Sequence, residues 1–367
     1  MRKIVFYAPF GNGIPDAAVG GGEMGCRRTK KIYEKGGLKV IPIDKPAISG
    51  GKFKFCVELL LTPFKIYWAL LINSNSLLHI AGFYSKNVYC EYFLMRIGKL
   101  MKHKVIYEIR NGSMISTYLN GTYLYRKVLK SLIINSDIVL CQGKEYVDFI
   151  KKQWDIDCYY YPNYIMDNFI QENNLNRPYP LRLIYFGRVT ESKNIDVIIK
   201  TLSIIRSYGI DAVLNIVGGY NNQYKAYLDD VIIQEKVLKY VSFYGRKPLE
   251  FIVRILRESH YFVFPSQERQ EGHSNSLTEA MGCGVVPIVS SAGFNLSICG
   301  IPDLVVNIDA VEIANKIVYI ENHKKWQNYS KAVYKRVQCN YTQSIVEKTL
   351  LNCIDQLFVH SLNEKYN

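Results

Sequence analysis

Residues 261–289 read YFVFPSQERQEGHSNSLTEAMGCGVVPIV. The apolar run 261–264 stops at Pro265-Ser266, a common end for an interior strand because proline cannot donate to the sheet ladder. A polar, glycine-containing loop follows. A helix then opens at Ser274 or Asn275, either of which suits an N-cap because a short side-chain oxygen can accept from first-turn amides. Val286 to Val289 forms a second short apolar run. Strand, crossover helix and strand in about thirty residues make the repeating unit of a parallel sheet.

The same alternation runs through the rest of the chain. Strands are predicted at 3–7, 39–43, 77–80, 104–108, 137–141 and 158–161, and again at 182–186, 212–217, 241–244, 261–264 and 286–289. Helical periodicity separates them, beginning with 24–35, which Gly36-Gly37 ends; Gly20 to Glu23 reads as a loop. Between the two series, Asn168, Asn173, Asn174, Asn176, Pro178 and Pro180 read as a polar, proline-punctuated linker. The expected fold class is therefore α/β: two Rossmann-like doubly wound domains, 1–165 and 181–340, joined by a linker at 166–180. A closing helix in 341–367 is expected to pack back on the first domain.

At 367 residues, 49% hydrophobic and 21% charged, the chain can bury large cores and is not disordered. Nine scattered cysteines with no C-x-x-C pair exclude a disulfide framework or a zinc knuckle and suit a reduced, cytoplasmic setting. The apolar start is too short for a signal-peptide core. Net charge is +14, and the excess lies early: 25 Lys and Arg against 14 Asp and Glu up to residue 180, then 21 against 18. Nucleic acid is not the expected partner, because the cations are dispersed and Arg27 to Lys31 is the only dense cluster. In 53–72, Phe53, Phe55, Phe64, Tyr67 and Trp68 accompany Lys52, Lys54 and Lys65. Pro63, Glu58 and Lys65 argue against a transmembrane span, leaving a helix on an anionic membrane surface or one facing the core.

Ligands of open α/β sheets sit beyond the carboxyl ends of the strands, and three segments there carry chemistry. Gly187 allows a close turn after the strand 182–186. Arg188 and Lys193 add a planar fork and a point charge, a pair suited to a diphosphate. Glu271 and Glu279, eight positions apart, flank the helix start with Gly272, His273, Ser274, Asn275, Ser276 and Leu277 between them. Carboxylates accept from sugar hydroxyls, and helix amides receive an anion, which are the needs of a nucleotide sugar. Gly20 to Gly22 would let backbone approach a ligand, though the run is no dinucleotide fingerprint. Asp155-Ile156-Asp157 reads as a surface turn.

These motifs resemble family-4 glycosyltransferases of the GT-B fold, of the bacterial surface-polysaccharide type. The likeness is carried by Gly-Arg-x4-Lys from Gly187, by E-x7-E from Glu271 with its Glu-Ala-Met-x-Cys-Gly continuation, and by the early glycine loop. It implies a retaining, metal-independent, cytoplasmic hexosyltransferase working in an interdomain cleft, with no cofactor. The sugar would pass from a nucleotide diphosphate sugar, UDP- rather than GDP-, to a glycan or lipid-linked glycan of the cell envelope, with peripheral contact to the inner face of the plasma membrane. Arg188 and Lys193 would hold the diphosphate, Glu279 the ribose, Glu271 the transferred sugar with Gly272 to Asn275, and Gly21 and Gly22 would close over the diphosphate. Many relatives carry a His near the end of the fourth strand. Here the stretch is Tyr107 to Ser113, so Arg110 or Asn111 takes that place, with His79 a further acceptor-side candidate. A GT-B epimerase, or a catalytically silent nucleotide-binding module, is the alternative.

Overall fold

Runs rich in Val, Ile, Leu and Tyr become buried strands inside each sheet because an all-parallel sheet is covered on both faces, while the edge strands at 39–44, 159–160 and 241–243 stay partly exposed. The computed structural model describes residues 2–11, 20–47, 51–82, 85–170, 172–268 and 271–363, with side chains to Phe358. The chain forms two compact units, Met1–Pro162 with Val346–Asn367, and Asn163–Ile345.

Unit 1 runs β1 (Lys3–Ala8), α1 (Gly21–Lys35), β2 (Lys39–Asp44), α2 (Lys52–Ile72), β3 (Leu77–Gly82), α3 (Asn87–Leu100), β4 (Val105–Ile109), α4 (Met114–Leu119), α5 (Tyr123–Asn135), β5 (Ile138–Cys141), α6 (Lys144–Trp154) and β6 (Tyr159–Tyr160). Its six strands are ordered β2-β1-β3-β4-β5-β6, all parallel. Unit 2 runs β7 (Leu181–Phe186), α7 (Ile195–Ser207), β8 (Ala212–Val217), α8 (Asn222–Gln234), β9 (Val241–Phe243), α9 (Leu249–Glu258), β10 (Tyr261–Phe264), α10 (Asn275–Gly282), β11 (Val286–Val289), α11 (Asn295–Cys299), α12 (Ala310–Asn322) and α13 (Trp326–Asn340). Its sheet is parallel in the order β11-β10-β7-β8-β9. All nine cysteines are free thiols.

The last helix, α14 (Gln343–Asn363), lies in unit 1 from Val346 onward. Val346, Leu350, Ile354 and Leu357 are buried, Leu351 meets Gly36 at the end of α1, and Lys35 pairs with Glu347 at 2.8 Å. Residues 166–180, expected as a linker, are instead part of unit 2. Their polar side chains make internal bonds: the Arg177 guanidinium is buried, donates to the carbonyls of Asn174, Leu256 and Cys283, and lies 5.1 Å from the Trp326 ring. Burial without an acidic partner pulls Arg177 down to about 10. The glycine loop also differs from expectation, because Gly21, Gly22 and Glu23 are the first turn of α1. Residues 12–19 lie outside the described set, so the helix start is what remains of that motif.

Candidate active site

The strand β7 ends in a turn at Gly187, whose φ of +142° excludes a Cβ at low cost. The Tyr185 hydroxyl donates to the Arg188 carbonyl at 2.6 Å, and the Arg188 side chain is exposed. The chain then makes a short 3-10 turn, Glu191–Lys193, that swings Lys193 under the neighbouring strand end. Lys193 is only 6% exposed. Its ammonium pairs with Glu271, donates to the Ser266 hydroxyl at 3.2 Å and sits 5.2 Å from the Phe264 ring. Ser266 in turn donates to the same Glu271 oxygen at 2.9 Å. Lysine and carboxylate, 78 residues apart in sequence, thus meet directly and form one nearly buried charged group.

Several side chains keep that group in place. Asn194 Nδ2 donates to the Pro265 carbonyl at 2.7 Å, and Ser192 donates to Glu268 at 2.9 Å, tying the turn after β7 to the loop after β10. Ser290, just past β11, donates to the Ser266 carbonyl. Gly293 (φ +54°) lies so close that a Cβ there would stand 2.0 Å from the Glu271 carbonyl oxygen, so only glycine fits. None of Ser266, Glu268, Ser290 or Gly293 was singled out from sequence. Ser266 stood in the quoted Pro-Ser pair, but nothing in a lone serine marks it as a bridge.

The helix α10 is capped by Ser274, whose hydroxyl accepts from the Leu277 amide at 3.3 Å. Leu277 therefore drops out as a donor contact, because its amide is taken by the cap and its side chain is fully buried. The first-turn amides of Asn275 and Ser276 have no intrahelical acceptor by helix geometry, and both residues are half-buried, as are Gly272 and Glu279. His273 also differs from expectation. Its ring is buried, packed edge-to-face on Tyr341 at 5.0 Å, and burial pushes it down to about 3, so it is a neutral packing group. Its carbonyl accepts from Asn163 Nδ2 at 2.9 Å. Replacing Ser274 by alanine should cost about 1 kcal/mol through loss of the cap, read as a fall of roughly 2–4 °C in the apparent Tm.

Of the three acceptor-side candidates in unit 1, His79 and Arg110 lie inside the fold and Asn111 sits in the turn after β4. His79 is wholly buried mid-sheet, stacked on Phe6 at 4.4 Å, with Tyr33 hydrogen-bonded to Nδ1 at 2.8 Å and Glu108 3.3 Å from Nε2. Arg110 is 5% exposed, pairs with Glu108 at 2.7 Å and donates to Thr29 at 3.0 Å, with Gly25 of α1 directly over its guanidinium. Because α1 covers both residues, they are interior groups and not ligand contacts. Asn111 is half-buried, and its side-chain oxygen accepts from the Ser113 amide at 3.2 Å, a turn leading into α4. His103 is likewise buried, bonded to the Ser76 carbonyl at 2.7 Å. Asp155 and Asp157 are exposed and both pair with Lys151, a surface turn. Among the described residues, no cluster of three His, Cys, Asp or Glu is placed to hold a metal ion.

The buried lysine–glutamate group, the exposed Arg188 and the capped helix all fall in one stretch of unit 2. Residues 167–336 match the family model described as Glycosyl transferases group 1. That stretch contains Gly187, Arg188, Lys193 and every residue from Glu271 to Glu279, and none of unit 1. Over 130 residues the chain is 32% identical to the amylovoran biosynthesis glycosyltransferase AmsK of Erwinia amylovora, covering 34% of this chain and 30% of that protein. The chain thus spans about a third of the curated relative it matches. Among solved structures, the sucrose-phosphate synthase of Thermosynechococcus elongatus superposes over 98% of this chain and 100% of its own, with a TM-score of 0.76 and 17% identity. Anabaena Alr3699/HepE in complex with UDP superposes over 97% and 100%, with a TM-score of 0.72 and 12% identity. At such identities the likeness concerns architecture, and the architecture is the GT-B fold.

Proposed function

We propose that the chain is a retaining hexosyltransferase of family 4 that moves a sugar from a UDP-sugar to a glycan or lipid-linked glycan in cell-envelope polysaccharide synthesis, in the cytoplasm. The observation that carries the reading is the buried Lys193–Glu271–Ser266 group beside the capped N-terminus of α10. A diphosphate would meet Lys193, the exposed Arg188 and the amides of Asn275 and Ser276. Glu279 would accept from the ribose hydroxyls, and Glu271 from the sugar.

In the reaction the bond between the anomeric carbon and the diphosphate oxygen breaks, and the departing nucleotide diphosphate keeps the electron pair. The acceptor oxygen forms the new bond to that carbon, and its proton passes to the departing diphosphate. The negative charge that grows on the diphosphate is the species a fixed cation stabilises, and two cations with helix amides supply that field without a metal. The match of 167–336 to group 1 glycosyl transferases, the likeness to AmsK and the UDP-bound neighbour support this choice of donor and pathway.

The test is a melting series with UDP, GDP and ADP and their sugar conjugates, with magnesium or with EDTA, followed by transfer assays on the donor that binds. A ligand at a hundred times its Kd adds about 2.7 kcal/mol to the state it binds. UDP is expected to raise the melting temperature equally in both media, and a UDP-sugar to yield a new glycoside with the donor's anomeric configuration. No shift with any nucleotide would overturn the proposal, and an isomerised donor without acceptor would replace it by an epimerase.

A further inference from the structure

The helix α2 is inverted relative to a helix in water. Its buried residues are Thr62, Ile66 and Leu70, which hold it against β1, β2 and α3. On the opposite side Phe53, Leu60, Phe64 and Trp68 are 84%, 73%, 71% and 62% exposed. At 100° per residue these four fall on one stripe, which Leu71 continues. The surface extends sideways. Next to α2, α3 exposes Tyr89, Phe93 and Leu100 along one face, and beyond it α5 exposes Tyr123, Leu124 and Ile134. A contiguous apolar face of this size on one side of a unit marks a docking surface.

Charge selects the occupant. The three helices carry Lys52, Lys54, Lys65, Arg96, Lys99, Arg126, Lys127 and Lys130, against Glu58 and Glu91 alone. Glu91 is buried on Lys45 at 2.6 Å and Lys99 is paired with Asp137 at 2.7 Å, so the excess rests on the other seven cations against Glu58. A second copy of the same face would bring like charges together, whereas anionic headgroups complement them. Lys54 and Lys65, eleven positions and three turns apart, border the apolar stripe. With Lys45, Trp68 and the acidic Asp44 and Glu58 they line a groove of about 620 Å³ between α2 and the end of β2 with the residues that follow it. Lys54 stands 3.8 Å from Glu58.

By length and composition α2 is apolar enough to cross a bilayer. Its hold on the sheet through Thr62, Ile66 and Leu70 fixes it to its own unit, which directs it along a membrane surface. We infer that unit 1 docks on the surface of an anionic bilayer through α2, α3 and α5, with the apolar stripe in the acyl boundary and Lys54 and Lys65 at the lipid phosphates.

Flotation of the full chain with vesicles tests this, using phosphatidylcholine alone and phosphatidylcholine with 30% phosphatidylglycerol. The chain is expected to float with the anionic vesicles and at least tenfold less with the neutral ones. The variant F64E/W68E should lose binding at both low and physiological salt, and K54E/K65E should lose it at physiological salt. Both pairs are surface changes, so circular dichroism and the nucleotide melting shift should stay as in the parent; F64S/W68S serves if the glutamates perturb folding. Equal flotation with both vesicle types, or unchanged flotation of both variants, would overturn the inference. So would a chain that fails to float but dimerises through this face in sedimentation, with F64E/W68E monomeric.

Discussion

Replacing Lys193 or Glu271 by alanine is expected to cut sugar transfer by roughly a hundredfold or more, the scale on which a charge contact at a growing oxyanion acts. The two side chains form one unit: a single ammonium lies between Glu271 and Ser266, all of it nearly closed to water. Their losses should therefore not add, and the double variant K193A/E271A should transfer about as slowly as either single one. Arginine should not rescue position 193, because a planar guanidinium is a broader head than the ammonium held between Ser266 and the Phe264 ring. Steady-state rates on the active donor, with nucleotide affinity from calorimetry, decide the matter. A fall in kcat larger than the fall in UDP affinity supports a role on the departing diphosphate, and near-normal rates in both single variants would sink the assignment.

The second large effect is on stability. Changing Arg110 to methionine should destabilise unit 1 by about 3–5 kcal/mol, because it strands the Glu108 carboxylate inside the sheet. Glu108 is 1% exposed and faces Arg110 at 2.7 Å and His79 at 3.3 Å. The reverse change, E108A, strands the guanidinium over Gly25, whereas R110M/E108L removes both charges and should cost less than either single variant. Chemical denaturation followed at unit 1 separates these outcomes, and equal midpoints for parent and R110M would refute the account. The same pair carries a pH dependence. Burial alone would raise the Glu108 carboxyl, but Arg110 and then His79 more than reverse that, leaving it below the ordinary 4.5. A depressed carboxyl contributes fully above its unfolded value and loses that contribution as pH falls through its folded one. Acid should thus weaken unit 1 below about pH 4.5, and less so in R110M/E108L.

Strand positions were legible because a buried parallel strand is a continuous apolar run, and such runs at 212–217, 261–264 and 286–289 match β8, β10 and β11 residue for residue. What failed to show was polarity used inward. Asn173 and Arg177 look like linker residues, yet one bonds Ser330 at 3.0 Å and the other fastens three carbonyls, because a polar side chain says nothing of where its partner lies. Gly21 and Gly22 look like a loop because glycine is poor within helices, though a first turn tolerates it. Arg110 and His79 look like strand-end residues. The interior position of Arg110 depends on Gly25 and Thr29 of α1, and that of His79 on Tyr33, partners about 45 to 85 residues away, a juxtaposition that no local pattern encodes. At the candidate site the charged residues were readable from spacing, while Ser266, Ser290 and Gly293, which hold them, were not.

The division of the chain also orders its synthesis. Unit 2 is one unbroken segment, Asn163–Ile345, whereas unit 1 takes its last helix from Val346 onward. A ribosome therefore delivers all of unit 2 before the buried Leu350, Ile354 and Leu357 of α14 emerge to cover their side of unit 1. Although unit 1 comes first in the message, it is the later of the two to be finished, and a chain stalled near residue 345 would carry one completed unit and one with an uncovered apolar face.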